Sequence, residues 1–290
     1  MIIKSRYFPK KEYSTKEELF ADFRANIGDL ISFKKSTEQK SIDKGVTLSC
    51  KSLSHIDLKG QIKGLKMDDA YYYIGVNSTK FLDSHEDLHI DGLWYRSVKE
   101  QQGLNYLVAD HNLTIADTIV RKEHVEMLIV KMPFALLGKS YPGDTEVLVY
   151  KFPKDKIVND KAKEWLESGD AIEASVRMQY VTILFAMDSN DPEDATLKKN
   201  YDDYYSMIAN KDEFEYIPYY FIIKEAKNVR ESSLVIAGSN SVTGNLNRTT
   251  DPEKSILEID PPTEQSTSVW DDFMLLPTQK KTIWDDYLKN

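Results

Sequence analysis

The chain has one cysteine in 290 residues, Cys50, and that scarcity excludes an intramolecular disulfide and a thiolate-rich metal site. A reducing compartment is the matching expectation. Basic charge is also short. The 38 Lys and Arg stand against 47 Asp and Glu, a formal charge of −9, so no overall positive field draws the chain to nucleic acid or an anionic membrane. Peptide or protein partners fit better. Nowhere do the roughly 18 apolar residues of a membrane span run together, and the N-terminus MIIKSRYFPKKEYS lacks the apolar centre of a signal peptide. A soluble cytosolic protein is expected, in which the sequons at Asn77, Asn112 and Asn247 are chance matches. The 12 glycines never approach GxGxxG or GxxxxGK[ST] spacing, which argues against nucleotide chemistry.

What the chain does contain is aromatic and strand-forming: 41% of it is hydrophobic, with 17 Tyr and 11 Phe. Residues 15–33 follow a Ser-Thr start with apolar positions at helical spacing, and the polar run KKSTEQKSIDKG after them reads as a linker. Residues 1–45 are therefore expected to form a helical appendage to a domain over 46–245. From Tyr71 the pattern turns to strands in AYYYIGV, GLNYLVAD, VEMLIVKMPF and TEVLVYKF. A helix is expected to end near Gly169, and the run AIEASVRMQYVTILFAM then alternates, with Glu173, Ser175, Arg177 and Gln179 on its polar face. Residues 188–215 are acidic and helical and read as an insertion between two strands, the second being EYIPYYFIIKEA; NVRESSLVIAG follows.

Residues 246–290 should form an extended acidic tail, too polar to bury much surface alone. Within it, SVWDDFMLL and TIWDDYLKN repeat Trp-Asp-Asp-aromatic around Trp270 and Trp284. Used twice on a flexible chain, such a motif reads as a docking element. The alternative is that both copies pack back onto the domain.

Few residues carry chemistry on local grounds. His85 and His89 flank Glu86 and Asp87 in DSHEDLHIDG, but without the HExxH order or a helix beneath it, and no metal is expected. His111 ends a hydrophobic strand in YLVADHNLTIADTIV. Ser175 sits on a polar strand face, and Glu231 heads RESSLV. Taken singly, each has a structural explanation.

In order they say more. STKFLDSHEDLHIDGLWYRSVKEQ, NYLVADHNLTIADTIV, IEASVRMQY and RESSLVIAGSN form four blocks over residues 70–245. Together they resemble the prohead proteases of tailed bacteriophages, serine proteases related in fold to the herpesvirus assemblins. The resemblance implies an α+β fold: a mostly antiparallel, β-barrel-like core with surrounding helices. It makes Ser175 the nucleophile, His111 its base and Glu231 the acid, and it assigns the oxyanion donors to the backbone of Gly238, Ser239 and Asn240. The implied activity is an endopeptidase acting in the host cytoplasm, inside the assembling prohead. Its substrates would be scaffold protein and the scaffolding segment of the major capsid protein, and can extend to the protease itself.

No cofactor, nucleic acid or membrane enters that picture, while self-association is left open. The alternative is a capsid-associated structural protein of the same fold without activity, docked through its tail. Three departures stand out. Arg177 replaces the family's glycine, Gly238 replaces its proline, and the stretch between Ser175 and Glu231 is longer than usual by the acidic insertion. A loop lengthened between paired strands costs little closure entropy. Arg177 shares the polar face of Ser175, either as added positive charge or as a solvated arginine.

Overall fold

Thr15 starts the first helix because its side-chain oxygen accepts the Glu18 N–H at 3.3 Å while Glu18 accepts the Ser14 N–H at 2.8 Å. The helix, α1 (Lys16–Ser36), carries Glu17 and Glu18 in its first turn and Lys34 and Lys35 in its last, as its dipole favours. Its apolar face is not that of an appendage. Leu19, Phe20 and Phe23 are buried in the main hydrophobic core, and the Phe23 ring lies 4.3 Å from Tyr219 and 5.0 Å from Phe185. Arg24 adds a two-pronged ion pair, with Nε 2.8 Å from Asp194 Oδ1 and Nη2 2.8 Å from Oδ2. The expected separation of residues 1–45 fails because the helix needs those core side chains as its apolar surface, and they need it.

This computed structural model describes residues 2–39, 67–169, 172–236 and 243–245, all within a compact unit spanning Met1–Pro252; a second unit, Glu253–Asn290, lies outside them. After α1 come β1 (Glu38–Gln39), β2 (Tyr71–Ser78), β3 (Asp87–His89), α2 (Tyr95–Glu100), β4 (Tyr106–Ala109) and β5 (Thr118–Val120). Then follow β6 (Glu126–Pro133), β7 (Asp144–Pro153), α3 (Asp160–Ser168), β8 (Glu173–Met187), α4 (Ala195–Tyr205), β9 (Tyr219–Val235) and β10 (Gly244–Asn245). The fold is mixed α+β. One sheet runs β1-β8-β9-β4-β5 with β3 also on β9, and a second runs β10-β2-β7-β6. Among the described residues these two sheets do not close into a barrel, which corrects the barrel-like expectation. The larger sheet splits its longest strand's edge between two short partners instead.

That strand is β9. It pairs antiparallel with β8 along one side, and on the other it takes β3 at Phe221–Ile223 and β4 at Glu231–Leu234, both parallel. A parallel partner needs a crossover, and the chain from β4 to β9 supplies it through β5 to β8, α3 and α4. The acidic insertion 188–215 connects β8 to β9, where Met187 faces Tyr219. Its Tyr201 and Ile208 pack with Leu82, Leu88, Ala186, Ile217, Tyr220 and Ile222 in a second hydrophobic cluster. Ser175 faces Ser233 at the other end of the same strand pair, 12 residues away along β8 and so roughly 40 Å of strand. The insertion therefore lengthens the chain between Ser175 and Glu231 without entering their surroundings.

Candidate active site

Three adjacent strands, β8, β9 and β4, each present one side chain to a common point. Ser175 comes from β8 and Glu231 from β9, while His111 follows two residues after β4. Ser175 stands opposite Ser233, and Glu231 lies two residues before Ser233, so the three project from one face of the sheet. The alternation that put Ser175 on a polar face holds. That face is covered, however, and Ser175 is only 4% exposed.

The backbone at the site departs from regular strand geometry in two places. Asp110 and His111 have φ values of 49° and 57°, left-handed conformations that cost a non-glycine residue about 1 kcal/mol or more each. They are held there from both sides. The Asp110 N–H donates to the Leu234 carbonyl at 3.1 Å, and the His111 N–H donates to Ser233 Oγ at 2.8 Å. The second departure is in β9. Val176 pairs with Ser232 but Met178 pairs with Asn228, so Arg177 alone faces Val229, Arg230 and Glu231. Arg230 takes a φ of 66° within this bulge. Such bulges bend a strand and re-aim a side chain, and here the residue re-aimed is Glu231.

The imidazole bridges the other two groups. His111 Nε2 lies 2.9 Å from Ser175 Oγ, and His111 Nδ1 lies 2.9 Å from Glu231 Oε1. Glu231 carries no exposed surface and His111 is 4% exposed. An acceptor-only carboxylate at Nδ1 requires a proton there, which leaves Nε2 free to accept from the serine hydroxyl. Arg177 completes the group. Its Nη2 donates to the His111 carbonyl at 2.9 Å, and its Nε sits 2.8 Å from Glu231 Oε1, a charge contact whose N–H is misaligned for a hydrogen bond.

The residues expected to form the site thus meet, with two additions. Ser233 and Arg177 contact His111, and a period-two reading of RESSLV already places Ser233 beside Glu231. Gly238, Ser239 and Asn240 lie outside the described residues, as do Trp270 and Trp284. Thr243 accepts the Ala174 N–H at 3.2 Å and donates to its carbonyl at 2.6 Å, one residue before the nucleophile candidate. His85 and His89 do not join this site. His85 is 28% exposed beside Asp83, while His89 is buried between Asn77 and Tyr180. Among the described residues no three His, Cys, Asp or Glu side chains converge as a metal site, and no helix is long and apolar enough to cross a membrane. Compared with protein-family models, curated proteins and solved structures, the chain matches none.

Proposed function

We propose that the protein is a serine endopeptidase of the prohead-protease type, related in fold to the assemblins, that cleaves scaffold and scaffolding segments of capsid protein during phage head maturation. One observation carries the catalytic part: a buried imidazole within 2.9 Å of both a serine hydroxyl and a carboxylate. The substrate part rests on the four ordered sequence blocks.

In this reading Ser175 Oγ attacks the scissile carbonyl carbon as His111 Nε2 takes its proton, and the carbonyl oxygen gains the negative charge. Collapse of that intermediate breaks the C–N bond, and His111 returns the proton to the leaving amine. Water then repeats the sequence on the acyl-enzyme. Glu231 fixes the Nδ1–H tautomer and stabilises the imidazolium formed in each half. Oxyanion donors are assigned to the backbone of Gly238, Ser239 and Asn240, each worth about two to three orders of magnitude in rate. Thr243 beside Ala174 supports this, because Asn240, Ser239 and Gly238 are three to five residues before it, a chain reach of about 10–18 Å. Ser175 and His111 are each 4% exposed, so the pair is shielded from bulk water, which strengthens the charge interactions between them.

The test is processing of the cognate scaffold and capsid proteins on co-expression, together with labelling of Ser175 by a fluorophosphonate. Wild type should process and label, and Ser175→Ala should do neither. Labelling should also vanish in His111→Ala. Processing by the Ser175→Ala protein at the wild-type level would sink the proposal. The inactive shell-bound alternative has less support, since all three side chains are present and bonded to one another.

A further inference from the structure

We propose that Arg177 is a positioning residue of this site: its guanidinium holds the His111 carbonyl and the Glu231 carboxylate so that the imidazole stays aimed at Ser175. The inference rests on the serine-protease reading of the site and adds a fourth member to it. Where the resembled family has glycine after its Ser-Val pair, this chain has an arginine, so the role belongs to these residues.

Two unusual demands converge on Arg177. A left-handed His111 turns its carbonyl out of the β4 to β9 ladder, and a buried carbonyl without a partner is costly. Arg177 Nη2 supplies that partner at 2.9 Å. Glu231 is a carboxylate with no exposed surface, and burying its charge needs a compensating cation. Arg177 Nε supplies it, 2.8 Å from the oxygen that also receives His111 Nδ1. The same arginine is the one β8 residue opposite the three-residue bulge of β9, so the strand irregularity that aims Glu231 also makes room for the guanidinium.

A solvated arginine would look different. This side chain is 13% exposed, and among the described residues it reaches beyond the site only to Glu38, with Nη1 3.8 Å from Oε2. Lysine could not replace it fully. A single ammonium lacks the planar fork that addresses a carbonyl and a carboxylate at once.

The test is time-resolved fluorophosphonate labelling of Ser175 in the full chain, followed by intact mass, for wild type, Arg177→Met and Arg177→Lys. If Arg177 positions the imidazole, Arg177→Met lowers the limiting labelling rate by up to about 100-fold, while the half-saturating probe concentration stays put. Arg177→Lys should fall between the two. Labelling of Arg177→Met at the wild-type limiting rate would overturn the inference. So would loss of rate in both variants in step with loss of melting temperature, which marks a merely structural residue.

Should wild type itself fail to label, the serine-protease reading is what suffers, and NMR then decides on Arg177. The downfield Nδ1–H proton of His111, observed in the Ser175→Ala background, should move or broaden on adding Arg177→Met. If it stays unchanged, Arg177 does not position the imidazole. If Arg177→Met does not fold, Arg177→Lys against wild type gives the same two readouts, with equal rates and an unmoved proton counting against the role.

Discussion

Two buried histidines meet strand β8 within five residues of each other, His111 at Ser175 and His89 at Tyr180. Around His89 every polar atom has its counterpart. Trp94 Nε1 donates to Asn77 Oδ1 at 2.8 Å, so Asn77 Nδ2 faces His89 Nδ1 at 3.0 Å and leaves Nε2–H to donate to Tyr180 Oη at 3.3 Å. Tyr180 in turn donates to Asp87 Oδ2 at 2.8 Å, and Lys34 neutralises Asp87 through Oδ1. Burial holds His89 below its ordinary value, hence neutral, as this circuit requires.

The His111 site is built from similar groups and left unfinished. Among the described residues Glu231 Oε2 and Arg177 Nε have no hydrogen-bond partner, and three of the five left-handed non-glycine residues, Asp110, His111 and Arg230, surround it. The His89 network has left-handed residues at its edge too, Lys80 and Glu86, but its own side chains are paired one to the next. Under the proposed function, the left-handed backbone beside the Ser175 hydroxyl is strain of the kind that collects at reacting groups.

The change that breaks this comparison most strongly is Glu231→Gln. An amide keeps the shape of the carboxylate but no longer dictates the Nδ1–H tautomer, so the limiting labelling rate of Ser175 should fall by about 10⁴-fold. His89→Gln, the matching change in the other circuit, should leave that rate as it is and lower the melting temperature. Labelling kinetics and thermal melts on both variants separate the roles. Equal losses of rate would mean that the two histidines are not different in kind.

That contrast also marks what the sequence made readable. The apolar and aromatic runs announce β2, β4, β6, β7, β8 and β9, and the cap and charge pattern announces α1. Alternation along β8 predicts which way Ser175 faces. It cannot say that β4 lies parallel to β9 across more than 100 residues, which is what brings His111 over that face. Nor does a period of two reveal register, because the β9 bulge that aims Glu231 is a local break in the period. Ser175, His111 and Glu231 are therefore singled out in the sequence only by the order of the four blocks that hold them. Alternation puts Arg177 on the face of Ser175, but its contacts to the His111 carbonyl and Glu231 follow only from the bulge. The packing of α1 is hidden for a similar reason: its apolar face is visible in the sequence, but the core that receives Phe23 is not.

The next largest effect belongs to the satisfied network. Lys34→Met removes the cation from a buried Asp87 and should cost about 3–5 kcal/mol, the penalty of an uncompensated buried charge. For a domain of this size that is a drop in melting temperature on the order of 10 °C. Adding Asp87→Asn should recover part of it, since the stranded charge is then gone. Ser175 labelling of the folded protein should be unaffected throughout. A Lys34→Met protein as stable as wild type would show that this circuit is not what holds α1 to β3.

The smallest effect tests the edge of that circuit by pH. Glu86 sits next to it with φ of 54°, its Oε2 without a hydrogen bond and 3.8 Å from Arg6 Nη1. Burial, reinforced by the charges of Asp87 and Asp83 and opposed by Arg6 and Lys34, pushes its carboxyl up to about 7. A folded carboxyl that holds its proton more tightly than the unfolded one, near 4.5, penalises the native state above pH 7 and releases that penalty as pH falls from 7 to 4.5. Glu86→Gln should therefore melt higher than wild type at pH 8, with the gap narrowing through pH 6 and closing near pH 4.5. The side chain is 33% exposed, so solvent screening keeps the gap small. A gap that stayed constant from pH 8 to pH 5 would assign the difference to packing and leave Glu86 no part in the pH response.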